Sequence, residues 1–401
     1  MSVAVSEVQQ PSAENPVYDG SVAIDPQSRH LTARWSIRFV ADSVTTDSVV
    51  FLLNPGVAIA RVSGRNVVSY ATRPRDDEQA VTVTLMPPLA PGSEGRIDFE
   101  YAGVPVFGSD SINGIAPRWV ELGLDSFWFP LFADFSKRIS AHVHIALPSD
   151  WAAVASGNVR HDGKSMVLAS GVPLIDIAFA ASPVFHRADA PNVSVYWVRA
   201  DSATVTRVLR VSESCRQYLN ERYGSADSLP AVRLVLAPRT GPAYARRNYI
   251  VLTDAASAPA PILGGYICHE LAHFWSIAAN ASGPENWLNE GMAEYVSSRY
   301  VRTSFGQAAY DSTLARWRTM SEGQPPIWTP QATRRPNERV AYRKAPFLLS
   351  RLEERIGTDK MDAFLRRYMV ERIRTTPQLL SALREVAGSE TASWFQAELA
   401  R

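Results

Sequence analysis

The sequence predicts an α+β chain: an N-terminal antiparallel β-sandwich-like domain, then a mixed α/β domain that ends in a helical region. Three observations lead there. From about Val17 to His186 apolar and polar residues alternate at period two, and turn signals (NPG, PPLAPGSEG, HDGK) recur at short intervals. After about Ala190 short strands surround one helix-length segment. From Pro261 onward helical periodicity runs to the C-terminus. The predicted boundaries are a disordered lead-in over 1–16, an all-β domain over 17–189 and a second domain over 190–401, in a chain long enough for two or three cores.

Taken in order, VAIDPQSRHLTARWSIRFV reads as two strands around a DPQSR turn, and AVTVTL, RIDFEYAG and SAHVHIALP continue the alternation. His142 and His144 share one side of the last of these, opposite Val143 and Ile145, and read as a solvated polar face rather than a metal pair. In the second domain NVSVYWV and AVRLVLAP read as strands around the helix SATVTRVLRVSESCRQYLNERYG, with RRNYIVLTD as a further strand. TTPQLLSALREVAG carries a Thr cap, Pro in the first turn and Gly at the end, a full start-and-stop pair for a helix.

Apolar residues make up 46% of the chain and charged residues 20%, and 41 Lys plus Arg nearly balance 40 Asp plus Glu. That balance gives no reason to expect nucleic acid or an anionic membrane as partner. The start, MSVAVSEVQQPSAENPVYDG, lacks the regions of a signal peptide, and no later stretch approaches 18 uninterrupted apolar residues. A cytoplasmic location is expected, although a chain trimmed of a leader reads the same way. Cys215 and Cys268 are too few for a disulfide framework and are expected as buried apolar thiols.

The segment that carries chemistry is ICHELAHFWS, residues 267–276. On a helix His269 and His273 lie one above the other, so they can present two imidazoles to one ion, and Glu270 sits where it reaches a metal-bound water. Gly264 and Gly265 before the motif and ASGP at 281–284 after it are read as the helix limits. The competing reading is a pair of core histidines bonded to backbone. Burying such polar groups without a strong partner costs several kcal/mol, roughly, which a bound zinc offsets. The next helix is expected from near Asn286 in NWLNEGMAEYVSSRY, where Glu290 is either a third ligand or a carboxylate facing the helix dipole. Glu294, one turn on, either supports a ligand histidine or is solvated.

HELAHFW followed by WLNEGMAEY resembles the gluzincin aminopeptidases, the family of aminopeptidase N and leukotriene A4 hydrolase. FWFPLFADFSKRISAHVHIALPSDWAAVASGN (127–158) is similar to that family's FP-containing stretch, and VAYRKAPFLL (340–349) to its Tyr-x-Lys-Gly segment. The resemblance implies a thermolysin-like (zincin) second domain and one zinc per chain on His269, His273 and Glu290. It also implies Glu270 as general base, Tyr342 as donor to the transition state, and an aminopeptidase acting on a peptide or small amide.

Three departures stand against this. Sixteen residues separate His273 from Glu290, two fewer than the family's usual 18. The Glu of the family's Gly-x-Met-Glu-Asn strand is missing from TGPAYARRNYIVLTD (240–254), which has no carboxylate before Asp254. Glu121 in RWVELG is a candidate substitute for that charge, its other reading being an exposed carboxylate. Third, Lys-Gly is Lys344-Ala345, and the chain given stops at Arg401. Arg246, with Arg239, Arg247, Arg334, Arg335, Arg339, Arg343 and Lys344, is either a solvated charge run or a grip for acidic substrates or a terminal carboxylate. Two other functions remain open: zinc-assisted attack on an ester, amide or epoxide, and a non-catalytic binding module. Oligomeric state is not legible.

Overall fold

The structure, a computed structural model, describes residues 15–401 apart from 43, 109–111, 134, 136 and 163–164. The lead-in expected over 1–16 lies outside these residues except for its last two. The chain divides into two compact units, Met1–His186 and Arg187–Arg401.

The first unit is built from β-sheets. Its largest has seven strands in the order Asn158–Asp162, Ser165–Ala169, Ser140–Ala146, Val17–Asp25, His30–Val40, Glu94–Gly103 and Val57–Ser63. All neighbours are antiparallel except Val17–Asp25 with Ser140–Ala146. Strand His30–Val40 shows why: Leu31, Ala33, Trp35, Ile37 and Phe39 are buried while the residues between them face outward, one wet face and one dry. Two four-stranded sheets complete the unit. Their shared interior is aromatic, with Tyr18, Trp35, Trp128 and Phe129 meeting mostly edge to face. Gly20 makes room for this cluster, since a Cβ there would lie 2.4 Å from the Trp35 ring.

The second unit opens with a five-stranded sheet in the order His186–Ala190, Val193–Trp197, Val232–Leu236, Tyr249–Leu252, Tyr244–Arg246. The last three of its four pairings are parallel, parallel and antiparallel, so Tyr244–Arg246 forms an antiparallel edge. Tyr249–Leu252 is buried throughout, as expected of an inner parallel strand covered on both faces. Eight helices follow among the described residues: α1 (Ser202–Tyr223), α2 (Ala260–Ala272), α3 (Asn286–Phe305), α4 (Gln307–Ser321), α5 (Ala345–Ile356), α6 (Thr358–Glu371), α7 (Thr376–Ala387) and α8 (Ser389–Leu399). Asp201 caps α1 by accepting from the Thr204 amide at 2.7 Å. Thr375 and Gln378 form a reciprocal capping box on α7, and Gly388 ends that helix at φ 88°. Among the described residues no helix is long and apolar enough to cross a membrane.

Two expectations fail here. Cys215 and Cys268 are not thiols: they are joined in a disulfide, 53 residues apart in sequence with Cα atoms 5.6 Å apart. The sequence hides this because nothing in it says that α1 and α2 pack side by side. Second, both limits of α2 differ: it begins at Ala260, so Gly264 and Gly265 lie inside it, and it ends at Ala272, well before ASGP. The Phe274 and Trp275 amides bond to carbonyls only three residues back, tightening the chain into a turn at the motif's last histidine.

Candidate metal centre

α2 supplies His269 and Glu270 from its last turn, and His273 caps its end at φ −61°, close enough to helical for both imidazoles to keep one face. The turn after it is fixed from below. The Ser276 hydroxyl donates to the Asn289 carbonyl at 2.8 Å, while the Asn289 side chain bonds both ways to the Ala279 backbone at 3.1 Å. The connection is therefore held shut although it is two residues short, and α3 returns alongside α2. Gly291 lets α3 approach the start of α5 and the segment before it closely, since a Cβ there would lie 2.9 Å from the Ala345 methyl and 3.4 Å from the Ala341 carbonyl oxygen. That segment, Val340–Lys344, is a single π-helical turn leading into α5, and Tyr342 projects from it.

Three atoms converge. His269 Nε2 and His273 Nε2 are 3.2 Å apart, and Glu290 Oε2 lies 3.5 and 3.4 Å from them. These three residues form a group able to hold a metal ion, the one such group among the described residues. The far side of each ring is occupied. His273 Nδ1 faces the Ser276 carbonyl at 3.0 Å and His269 Nδ1 faces Glu294 Oε2 at 3.0 Å. In the tautomer that puts each ring's proton on Nδ1, both rings turn lone pairs toward Glu290; Glu290 Oε2 and His269 Nδ1 are both buried without a formed hydrogen bond. In that tautomer three acceptors face one another with no donor between them, an arrangement that a cation, whether a proton or a metal ion, completes. Zinc bound tetrahedrally by N and O donors at ~2.0–2.1 Å sets its ligands about 3.3 Å apart, which these separations fit.

The electrostatics agree. Burial opposes charge on His269, but Glu290 and Glu294 outweigh it and raise its pKa to about 10. His273 moves up as well, burial again opposing and Glu290 prevailing. Burial pushes Glu290 upward, yet the two imidazoles hold it well below the usual carboxylate range. Each group is shifted in the direction that places positive charge at their centre.

Glu270 is 8% exposed and burial raises its pKa, with His269 and His273 opposing. The Tyr342 ring stacks on His269 at 5.6 Å between centroids, and burial together with Glu290 keeps its hydroxyl protonated. Glu294 also accepts from Arg343 at 2.7 Å, so Arg343, Glu294 and His269 form a continuous chain. Sequence reasoning missed Arg343 and the Ser276 carbonyl as supports. Arg343 stood beside Tyr342, but its direction was not legible; a backbone carbonyl leaves no trace in a sequence. Glu121 lies in the first unit on strand Trp119–Leu122, fully buried rather than exposed, and accepts from Trp119 Nε1 at 3.2 Å. Arg246 ends the edge strand beside α2, half-buried.

Residues 245–397 match the peptidase family M1 domain. Leucine aminopeptidase 2 of Aspergillus terreus is 31% identical over 120 residues, 26% of this chain and 19% of that protein. A leukotriene A-4 hydrolase homolog of Botryotinia fuckeliana is 30% identical over 117 residues, 25% of this chain and 18% of that protein. The chain thus spans about a fifth of the length of the curated relatives it matches. Among solved structures, an M1 zinc metallopeptidase from Deinococcus radiodurans superposes with a TM-score of 0.72 at 18% identity, covering 98% of this chain and 94% of that one. A mutant of that protein bound to a Tyr-Ser-Ala substrate gives 0.72 at 19% identity, over 96% and 93% of the chains.

Proposed function

We propose, on the premise that residues 245–397 belong to peptidase family M1, that the chain is a zinc-dependent peptidase, an aminopeptidase by preference, that cleaves with a metal-activated water. The observation that carries this reading is the convergence of His269 Nε2, His273 Nε2 and Glu290 Oε2 to within 3.5 Å of one another. In this proposal those residues hold one zinc, and Glu294 and the Ser276 carbonyl fix the two rings. Zinc, when bound, supplies the positive charge that acidifies a water and polarises a carbonyl.

The chain's own groups do the rest. Glu270 takes the proton of the attacking water and returns it to the leaving amine, a task favoured by the upward pKa shift that burial gives it. Tyr342, kept protonated, donates to the oxygen on which negative charge develops. The substrate is proposed to be a peptide or small amide. A second reading, hydrolysis of an ester, amide or epoxide without a free amine, is favoured by one observation: strand Tyr244–Arg246 and its turn carry arginines and no carboxylate.

The test pairs metal analysis with Glu270→Gln. The wild type is expected to hold one zinc and to hydrolyse aminoacyl reporters; the variant is expected to keep the zinc and lose turnover by at least about a hundredfold. Protein that takes up no zinc, or a variant as active as wild type, would sink the proposal. N-acetylated reporters cleaved as fast as free ones would favour the second reading. A cytoplasmic location, expected from the first twenty residues, is in tension with the Cys215–Cys268 bond, because cytosolic thiols are kept reduced. Counting alkylatable thiols in protein taken directly from cells decides between them.

A further inference from the structure

The candidate metal centre accounts for two of the chain's seven histidines. Two others, His142 and His144, stand at alternate positions of strand Ser140–Ala146 in the first unit, and both are exposed. Their sequence pattern reads as a solvated polar face. The structure keeps them solvated and adds a relation that spacing alone does not give. Their rings lie 5.2 Å apart between centroids at an interplanar angle of 75°. His269 and His273, the pair proposed to hold zinc, stand at 4.8 Å and 90°.

The likeness has a geometric basis. Residues two apart on a strand project from one face at a spacing of about 6.4–6.8 Å, which two imidazoles can close onto one ion. An ion ~2.0–2.1 Å from each coordinating nitrogen, at a tetrahedral angle, sets the ring centroids about 5 Å apart. The backbone that carries the pair is fixed on both sides. Ser140–Ala146 is the third of seven strands, bonded to Ser165–Ala169 on one flank and to Val17–Asp25 on the other. On the second flank Asp19 stands opposite His142 and Ser21 opposite His144, and all four residues line one cavity of about 620 Å³ on the outer face of the sheet. Two cations of this face are already matched, Arg38 with Asp19 at 3.4 Å and Arg34 with Glu100 at 3.8 Å. The Arg38 pairing is exposed and leaves Asp19 further acceptor positions for a ring N–H or a metal-bound water.

We infer that His142 and His144 bind one divalent ion of the kind imidazole favours, Zn²⁺, Ni²⁺ or Cu²⁺, with Asp19 as an outer acceptor and water in the remaining positions. Among the described residues the pair lacks the third close donor that Glu290 gives the other site, so its affinity is the lower of the two. The inference does not depend on the peptidase reading.

Ions bound per full-length chain are counted by calorimetric titration with Zn²⁺ and, in a separate series, with Cu²⁺. Wild type is expected to take up two of either, one tightly at the trio and one more weakly, the weaker event being tighter for Cu²⁺ than for Zn²⁺. His142→Ala and His144→Ala are each expected to weaken that second event by about a hundredfold or more, because the remaining imidazole binds without its chelating partner. Asp19→Asn is expected to weaken it about tenfold. Both histidines face outward, so the core is untouched and urea unfolding of the variants should match wild type. His30→Ala removes a different exposed histidine and is expected to leave both events as they were.

A second ion that survives loss of both His142 and His144, or one lost equally in His30→Ala, would overturn the inference. So would a single ion per wild-type chain that the double variant still binds. A single ion that disappears in the double variant would leave this inference standing and remove the zinc trio instead.

Discussion

At the residue scale the candidate site depends on which side of each imidazole is already engaged. Glu294 faces His269 Nδ1 at 3.0 Å and is itself anchored by Arg343 at 2.7 Å, which places it to orient the His269 ring without belonging to the convergent trio. Outer partners of this kind usually contribute one to two orders of magnitude in metal affinity. Glu294→Ala is therefore expected to weaken zinc binding about 10–100-fold while leaving the fold intact, measured by competition with a chromogenic chelator. Unchanged affinity would leave Glu294 as the partner of Arg343 alone, with no part in holding the imidazole.

At the element scale α3 is clamped from its far side as well. Arg299 of α3 and Glu353 of α5 are 4% and 6% exposed and face each other at 3.3 Å. Arg302 adds a contact to Glu353 at 3.1 Å, the Tyr295 hydroxyl donates to Glu353 at 2.5 Å, and Arg299 also pairs with Asp362 of α6. Glu353→Ala takes one carboxylate from two arginines and the Tyr295 hydroxyl and leaves the buried Arg299 with Asp362 alone, so it is expected to cost up to about 3–5 kcal/mol in urea unfolding. The sign with pH follows from the direction of the shift. Burial pushes Glu353 up, but Arg299, the Tyr295 hydroxyl and Arg302 together lower its pKa. Its contribution is then complete above the unfolded carboxylate value of about 4.3 and is lost as pH falls through the lower folded value. The gap in stability between wild type and Glu353→Ala should narrow below about pH 4; a gap constant down to strongly acidic pH would contradict the assignment.

At the scale of the whole molecule the disulfide is the largest feature outside the site. Both cysteines are fully buried, and the bond closes 53 residues of chain between α1 and α2. By the chain-entropy argument a loop of that length is worth up to about 4 kcal/mol, so the Cys215→Ala, Cys268→Ala double variant should unfold at clearly lower denaturant. An unchanged midpoint would mean that packing between the two helices already supplies the constraint.

What the sequence could and could not show divides along the same physical line. The alternation in His30–Val40, the capped helix at Thr375 and the HELAH and WLNEG segments are local signals, each complete within a few residues. The Cys215–Cys268 bond, the Arg343–Glu294 contact and the burial of Glu121 depend on elements far apart in the chain meeting in space, and no local pattern encodes that. The early end of α2 failed for a related reason: the turn at His273 is fixed by Ser276 and Asn289, across a connection whose course the sequence does not give.

Cys268 immediately precedes His269. The intact bond ties the turn of α2 that carries His269 to α1, so its reduction would loosen the mounting of one of the three convergent side chains. How a preparation has been handled, with or without a reductant in the lysis buffer, thereby becomes a chemical variable as consequential as any substitution, and two batches of identical polypeptide can differ in metal content for that reason alone.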